Sequence, residues 1–196
     1  MDSRAVACAG VYRRLALHKL MPAPFAVCFS GHRPEKLPSG ASLRMLQSLL
    51  YSEIRAAILD GADTFYTGTA RGVDLWAAEI VLHFRKQYPA LKLICVLPYA
   101  QQGTHLSGEA RYRFMTVLNA ADEIVSICEH YQKDCFSRRN RYMVSRCKRL
   151  IALVADMHSG TGQTIRMAKK AGLELRVLSL ELAKQQEKPA HQYFSF

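Results

Sequence analysis

Two stretches of the chain place glycines and hydroxyl residues directly after an apolar run and before a helical pattern. Backbone N–H groups at the start of a helix lack intrahelical partners, and such a turn therefore attracts anions. Two turns of this kind predict a site for a phosphate-bearing ligand, most simply a nucleotide. The residues that we expect to contact it are Thr67, Gly68, Thr69, Ala70, Gly72 and Asp74 in the first turn, and Ser159, Gly160, Thr161, Gly162 and Thr164 in the second.

A third polar turn follows the first apolar run and contains Gly31, His32 and Arg33, with Pro34 next. The guanidinium of Arg33 is suited to bidentate contact with a phosphate or carboxylate. His32 is suited to donate a hydrogen bond or to act as a general base. The alternative is a turn fixed by Pro34, in which Arg33 pairs with a structural acid.

Two carboxylates follow the first glycine turn. Asp74 falls near the predicted helix start, where an acid complements the helix dipole, so it is either a ligand contact or a capping charge. Glu79 lies five residues further on, about 140° around the helix at roughly 100° per residue. The two should therefore not converge as an acid/base pair, and Glu79 is either a single site residue or a solvated one.

The sequence indicates a binding site more clearly than a reaction. It contains no Walker A lysine, no complete G-x-G-x-x-G and no H-E-x-x-H, and no nucleophile stands beside an evident base. The six cysteines form no C-x-x-C pair, and we expect no metal site. We expect instead that they are buried, reduced thiols of a cytoplasmic protein. Catalytic residues stay unknown, and the sequence leaves open whether the protein is an enzyme.

The elements that position these turns alternate between strand and helix, and no tight hairpin signal interrupts them. Such alternation predicts an α/β fold with a Rossmann-like open, mainly parallel sheet and helices on both faces. In that fold ligands bind beyond the carboxyl ends of the strands, near the point where the strand order reverses. The patterns predict strands at 25–30, 64–67, 93–97, 123–128, 150–155 and 175–178, and helices at 43–59, 73–84, 109–119, 137–146 and 162–171.

The charge balance favours an anionic partner. The 196 residues include 27 Lys and Arg against 16 Asp and Glu, a formal net charge of +11. This excess fits a nucleotide or a nucleic acid equally well. Part of it lies in the basic stretch 138–149, which we expect to be a solvated helix face. No apolar run approaches the roughly 20 residues that span a bilayer, so we expect no membrane partner.

Length and pattern predict one domain. We expect an N-terminal extension at 1–24, a single Rossmann-like domain at 25–183, and a polar C-terminal tail at 184–196. The sequence leaves open whether the protein forms a homo-oligomer.

Four motifs, in order, resemble those of the SLOG superfamily and most of all its YpsA-like branch, which is related to the DprA and LOG proteins. They are G-H-R-P-E-K-L at 31–37, T-G-T-A-R-G-V-D-L-W-A-A-E at 67–79, R-N-R-Y-M-V at 139–144 and S-G-T-G-Q-T at 159–164. The resemblance covers about residues 25–180. It implies a Rossmann-like sheet and a nucleotide-derived ligand, such as ADP-ribose or an NAD-like molecule. In that setting Asn140 is placed to hydrogen-bond a base or ribose.

Two other functions stay open beside this ligand-binding or sensor role. A DprA-like protein would bind single-stranded DNA through the basic stretch 138–149, with Tyr142 available for stacking. A LOG-like phosphoribohydrolase would use Glu79 or Asp74 on a nucleoside monophosphate. Against the hydrolase, this chain lacks the Pro-Gly-Gly of the LOG motif, and Arg166 and Met167 occupy the region where that motif has its glutamate.

Overall fold

The computed structural model describes residues 25–179, and these form one six-stranded parallel sheet with helices on both faces. The strand order is β4-β3-β2-β1-β5-β6. The strands are β1 (Ala26–Gly31), β2 (Thr64–Thr67), β3 (Lys92–Leu97), β4 (Glu123–Ser126), β5 (Arg149–Leu153) and β6 (Glu174–Leu178). The helices are α1 (Gly40–Leu59), α2 (Val73–Arg85), α3 (Gly108–Ala120), α4 (Cys135–Val144) and α5 (Gly160–Lys170), and a short 3-10 turn covers Pro34–Lys36.

The order of the strands places the three polar turns side by side. The chain adds β2, β3 and β4 on one side of β1 and then returns to place β5 on its other side. In register, Val27 of β1 faces Phe65 of β2 and Arg149 of β5. Because the strands are parallel, the turns after β1, β2 and β5 leave the same edge of the sheet. The predicted fold class and the predicted position of the turns are thus confirmed.

Alternating side chains of the central strand β1 pack into two separate hydrophobic cores, one on each face of the sheet. Val27 and Phe29 pack with α1, α2 and α3 on one face of the sheet. Ala26 and Cys28 pack with α4 and α5 on the other. A strand covered on both faces favours apolar residues along most of its length, which explains the continuous apolar run from Ala26 to Phe29 in β1.

Several predicted element bounds move in the structure. β4 ends at Ser126, two residues before the predicted end, because Ile127 and Cys128 turn to bond the carbonyls of Leu97 and Pro98. The basic helix begins at Cys135 and ends at Val144. β5 ends at Leu153, and α5 begins at Gly160, two residues earlier than predicted.

The expectation of buried cysteines is confirmed among the described residues, whereas the expectation of a solvated basic helix face is only partly correct. Cys28, Cys95, Cys128, Cys135 and Cys147 are buried free thiols, as expected, and Cys8 lies outside the described residues. The basic stretch is only partly a solvated face. Arg138 and Arg141 are exposed, but Arg139 and Arg149 are buried. Arg149 is held by Asp60 and Glu174, each at 2.7 Å.

The proposed extension 1–24 and tail 184–196 lie outside the described residues. Within 25–179, no helix combines the length and the apolarity needed to cross a membrane.

Candidate functional site

A cleft of about 330 Å³ opens at the carboxyl edge of the sheet, between the turns after β1 and β5. This is the point where the strand order reverses, the usual ligand position in open α/β sheets. Nine of the predicted site residues line it, and they come from all three turns and from α4. They are Gly31, His32, Arg33, Ala70, Asp74, Asn140, Ser159, Gly160 and Thr161.

The N-terminus of α5 supplies the cleft's open hydrogen-bond donors. Ser159 caps the helix, and its hydroxyl oxygen accepts from the Gly162 amide at 3.3 Å. The amides of Gly160 and Thr161, the first two of the helix, have no hydrogen-bond partner among residues 25–179. A Cβ at Gly160 would meet no atom within 4 Å. Free amides, open space and the positive end of a helix dipole together favour an anion here.

Two basic side chains, one arginine and one lysine, add positive charge at the rim of the cleft. Arg33 and Lys36 line the cleft and are exposed. In the described part of the chain neither forms an ion pair. Both are therefore available to a ligand's negative charge.

The floor of the cleft is a buried ion pair. Arg139 Nη1 lies 3.8 Å from Asp74 Oδ2, and the two side chains are 8% and 5% exposed. The same guanidinium nitrogen donates to the carbonyl oxygen of Gly68. Asp74 Oδ2 accepts from the Ala70 amide at 3.4 Å, whereas the buried Oδ1 has no hydrogen-bond partner in the described region.

Burial dominates the protonation of this pair. Removal from water raises the pKa of Asp74 from 3.8 to about 6, although Arg139 and the amides of Ala70 and Gly31 act in the opposite direction. The pKa of Arg139 is lowered, first by burial and against the attraction of Asp74. Both directions agree that the cost of desolvation exceeds the attraction between the two charges.

The first glycine turn is occupied by the protein's own side chains and is not an open phosphate cradle. The Thr69 amide donates to Thr67 Oγ1 at 3.2 Å, and the Ala70 amide is taken by Asp74. A Cβ at Gly68 would lie 1.7 Å from Arg139 Nη1. The glycine is needed there because the arginine lies against the backbone, and the turn supports the cleft from below.

Other predicted site residues are structural for related reasons. Thr67 is fully buried and donates to the Asp74 carbonyl at 2.9 Å. Gly72 has a positive φ of 88°, and a Cβ there would lie 2.6 Å from the His32 carbonyl oxygen. A Cβ at Gly162 would lie 1.9 Å from the Met157 carbonyl oxygen. These three residues do not line the cleft.

His32 joins two of the turns. Its Nε2 accepts from the Asp156 amide at 3.2 Å, so that nitrogen is already used. The pKa of His32 is lowered, mainly by burial and then by Lys36, which favours the neutral ring that this bond requires. The arrangement supports a positioning role for His32 more than a role as general base.

Asn140 and Thr164 tie α4 to α5. Asn140 Oδ1 accepts from Arg139 Nε at 2.7 Å, and its Nδ2 donates to Thr164 Oγ1 at 2.8 Å. Thr164 is fully buried and donates in turn to the Gly160 carbonyl at 3.0 Å. The chain of bonds couples the buried arginine to the first turn of α5.

Glu79 lies outside the cleft. Its carboxylate is bound by Arg113, whose Nε donates to Oε1 at 2.7 Å, and it lines a separate depression of about 680 Å³ beside Tyr51 and Trp76. Asp74 and Glu79 thus have different cationic partners, and they do not converge.

Sequence reasoning missed five lining residues: Phe29, Ser30, Lys36, Phe136 and Arg139. Arg139 stood in one of the recognised motifs, directly before Asn140, and that position was its available signal. Phe136 had no such signal in the sequence, because an aromatic residue at the start of a helix is usually interpreted as part of the hydrophobic core. No group of three His, Cys, Asp or Glu within residues 25–179 is arranged to hold a metal ion.

The chain is similar in sequence to UPF0398 proteins of Bacillus species. The chain is 25% identical over 141 residues to a UPF0398 protein of Bacillus pumilus (strain SAFR-032), covering 69% of this chain and 76% of the relative. It is 24% identical over 153 residues to a UPF0398 protein of Bacillus cereus (strain B4264), covering 74% and 83%.

Among solved structures, the chain is similar to DNA processing protein A from Helicobacter pylori, with a TM-score of 0.54 and 24% identity. That match covers 79% of this chain and 65% of the other. The molybdenum cofactor carrier protein of Chlamydomonas reinhardtii matches with a TM-score of 0.48 and 16% identity, over 84% of this chain and 82% of the other.

The family comparison covers nearly the whole described region. The model of the YspA SLOG family (YpsA) matches residues 27–179, from β1 to just beyond β6. This range contains the cleft and all four motifs of the sequence. The chain therefore belongs to the YpsA SLOG family.

Proposed function

We propose that the protein binds a nucleotide or nucleotide-derived ligand, of the ADP-ribose or NAD-like class, in the cleft between the turns after β1 and β5. The observation that carries this proposal is the open N-terminus of α5. Two unpartnered amides, at Gly160 and Thr161, face a cleft whose rim carries Arg33 and Lys36. Backbone donors beside cations are the usual protein environment of a phosphate.

The buried floor adds a second requirement for the ligand. Asp74 is one of the residues that line the cleft, and its buried Oδ1 has no hydrogen-bond donor in the described region. A buried carboxylate oxygen that lacks a donor costs free energy, and a ligand hydroxyl or N–H group would supply one. A sugar phosphate offers both the anion and the hydroxyl. Inorganic phosphate lacks the sugar hydroxyls and the base, so we expect it to bind more weakly than a nucleotide.

The proposed role is binding, as expected of a sensor, and no reaction is proposed. Neither carboxylate supports a phosphoribohydrolase. Glu79 is paired with Arg113 away from the cleft, and Asp74 is paired with Arg139.

A single-stranded nucleic acid is the second candidate, because Arg138, Arg141 and Arg146 are exposed on and just after α4. DNA processing protein A from Helicobacter pylori, a structural neighbour of this chain, binds single-stranded DNA. The expected stacking residue is less available here. The Arg146 guanidinium lies 3.5 Å from the centre of the Tyr142 ring and covers it.

A panel of ligands separates the two candidates. Purified protein is denatured and any released small molecule is identified by mass spectrometry. Thermal unfolding is then measured with ADP-ribose, NAD, AMP and a single-stranded oligonucleotide. At a hundredfold excess over the dissociation constant, a bound nucleotide should stabilise the fold by about 2.7 kcal/mol. A response to the oligonucleotide alone, which weakens steeply with salt, would favour the nucleic-acid candidate instead.

A further inference from the structure

A second hollow adjoins the cleft and continues it toward the loop after β3. It has a volume of about 490 Å³ and shares Arg33, Ala70 and Phe136 with the cleft. Its far wall is formed by Tyr99, Gln102 and neighbouring residues up to Ala110. We call this space the aromatic hollow. Because the two spaces share a wall, one ligand can extend from the amides of α5 into the aromatic hollow.

Aromatic side chains form one side of the hollow. The rings of Tyr99 and Phe136 have centroids 6.3 Å apart and planes at 88°. Phe136 remains 36% exposed, although it also meets the ring of Tyr131 with centroids 6.4 Å apart. Edge-to-face rings do not cover each other as stacked rings do. A planar group can therefore lie against this wall.

Gln102, one of the residues that line the hollow, has a buried side-chain amide oxygen without a hydrogen-bond partner among the described residues. Gln102 Nε2 donates to the Thr69 carbonyl at 3.3 Å. Since a carbonyl only accepts, the NH₂ group must be the end that faces Thr69, and this fixes the orientation of the amide. Gln102 Oε1 is then buried, and in the described part of the chain it has no hydrogen-bond donor. A ligand N–H group would satisfy it.

The loop after β3, which carries Gln102, is fixed by backbone hydrogen bonds and by packing on the core. The Gln102 amide donates to the Tyr99 carbonyl at 3.1 Å, and the Ala100 amide donates to Cys128 across the loop. A Cβ at Gly103 would lie 2.5 Å from the Phe114 ring, so the loop backbone packs directly on a core side chain. The acceptor and the ring of Tyr99 therefore sit on a fixed surface.

We propose that the aromatic hollow is the nucleobase subsite of the ligand-binding cleft, and that it takes a base bearing an exocyclic amino group. The base would lie against Phe136 and Tyr99 and donate its N–H to Gln102 Oε1. This inference rests on the proposed function, because the phosphate of the same ligand lies at α5. Base stacking on aromatic side chains and one amide acceptor together match a base such as adenine.

The first test compares AMP with ribose 5-phosphate, which lacks the base, by calorimetric titration. The wild-type protein should bind AMP at least tenfold more tightly. Phe136→Leu keeps an apolar side chain but removes the ring, and it should reduce this preference about fivefold or more. Tyr131→Leu is the matched control, because Tyr131 belongs to the same ring cluster and does not line the hollow. It should keep the wild-type preference.

The outcomes separate the two proposals. Equal binding of AMP and ribose 5-phosphate to the wild type would overturn the base subsite and leave the phosphate site standing. An unchanged preference in a folded Phe136→Leu variant would also overturn the base subsite. Binding of neither probe would overturn both proposals. The wild-type comparison needs no variant, so it decides even where a substitution prevents folding.

The second test examines the amide acceptor. Purine riboside 5′-monophosphate has the purine ring without the exocyclic amine, and the wild type should bind it several-fold more weakly than AMP. Gln102→Met should bind both alike, whereas Gln101→Met should keep the preference, since Gln101 is exposed and does not line the hollow. Equal binding of the two nucleotides by the wild type would overturn the role of Gln102.

Discussion

Arg139 and Asp74 form a buried ion pair directly beneath the candidate ligand cleft, with Nη1 and Oδ2 3.8 Å apart. The pair joins α4 to the first turn of α2, and its arginine also holds the Gly68 carbonyl in the turn after β2. Removal of one charge from such a pair is usually far more costly than replacement of both. The pair therefore links the stability of the fold to the geometry of the cleft.

The pair predicts non-additive effects of substitution. Arg139→Met leaves the Asp74 carboxylate buried beside no cation, and it should reduce the free energy of unfolding by about 3–5 kcal/mol at pH 7. The double variant Asp74→Asn/Arg139→Met should recover a large part of this loss. Urea unfolding at pH 7 measures both. Additive losses in the double variant would contradict the account.

The exposed pair of Arg71 and Glu35 is the matched control. Its side chains are 40% and 56% exposed. Exposed ion pairs are screened by solvent and contribute little, so Glu35→Gln should leave the urea unfolding curve nearly unchanged.

Asp74 also predicts a pH dependence of stability. Its pKa rises from 3.8 to about 6 on folding, so between these values the folded state holds a proton that the unfolded state has lost. The stability contributed by the neutral acid is fully present below pH 3.8 and is lost as the pH rises through 6. The difference in unfolding free energy between wild type and Asp74→Asn should change by about 3 kcal/mol between pH 3.5 and pH 7.5. Parallel pH profiles of the two proteins would rule this out.

Gly72 and Gly160 should respond differently to the same substitution. At Gly72 the positive φ of 88° and the His32 carbonyl oxygen, 2.6 Å from an added Cβ, predict that Gly72→Ala costs about 2 kcal/mol or more. Gly160→Ala adds a methyl group to open space at a helix start and should cost less than about 0.5 kcal/mol. Thermal and urea unfolding of the two variants provide the comparison, and similar losses would contradict the described turn.

Glu79 should be dispensable for ligand binding. Its carboxylate is used by Arg113 outside the cleft, with side chains 32% and 34% exposed. Glu79→Gln should therefore leave AMP affinity within about twofold of wild type and should reduce stability by at most about 1 kcal/mol. Loss of AMP binding in a folded Glu79→Gln protein would show that the cleft extends to this helix face.

The sequence was sufficient for the sheet because its signals are local. A strand that is buried on both faces has a continuous apolar run, as β1 does. A helix that is buried on one face has apolar residues three and four positions apart, as α1 does. The alternation of strands and helices predicts a parallel sheet. Because the strands of such a sheet run in the same direction, the turns after β1, β2 and β5 must lie at the same edge. These steps need no knowledge of side-chain contacts.

The different roles of the two glycine turns could not be predicted from such local signals. Gly68 looks like a phosphate-binding glycine, but it is required by Arg139, a residue 71 positions away. Phe136 and Gln102 gain their place in the hollow only through the packing of two loops. Such contacts depend on tertiary structure, and a pattern within one segment does not contain them.

The backbone amide of Gly160 gives the most direct test of the phosphate site. Proline is well tolerated at the first position of a helix and removes the N–H group, whereas Gly160→Ala keeps it. Because a hydrogen bond to a charged group contributes about 1.5–3 kcal/mol, Gly160→Pro should weaken AMP binding about tenfold or more, and Gly160→Ala should bind like wild type. Equal AMP affinity in all three folded proteins would contradict the placement of phosphate at the start of α5.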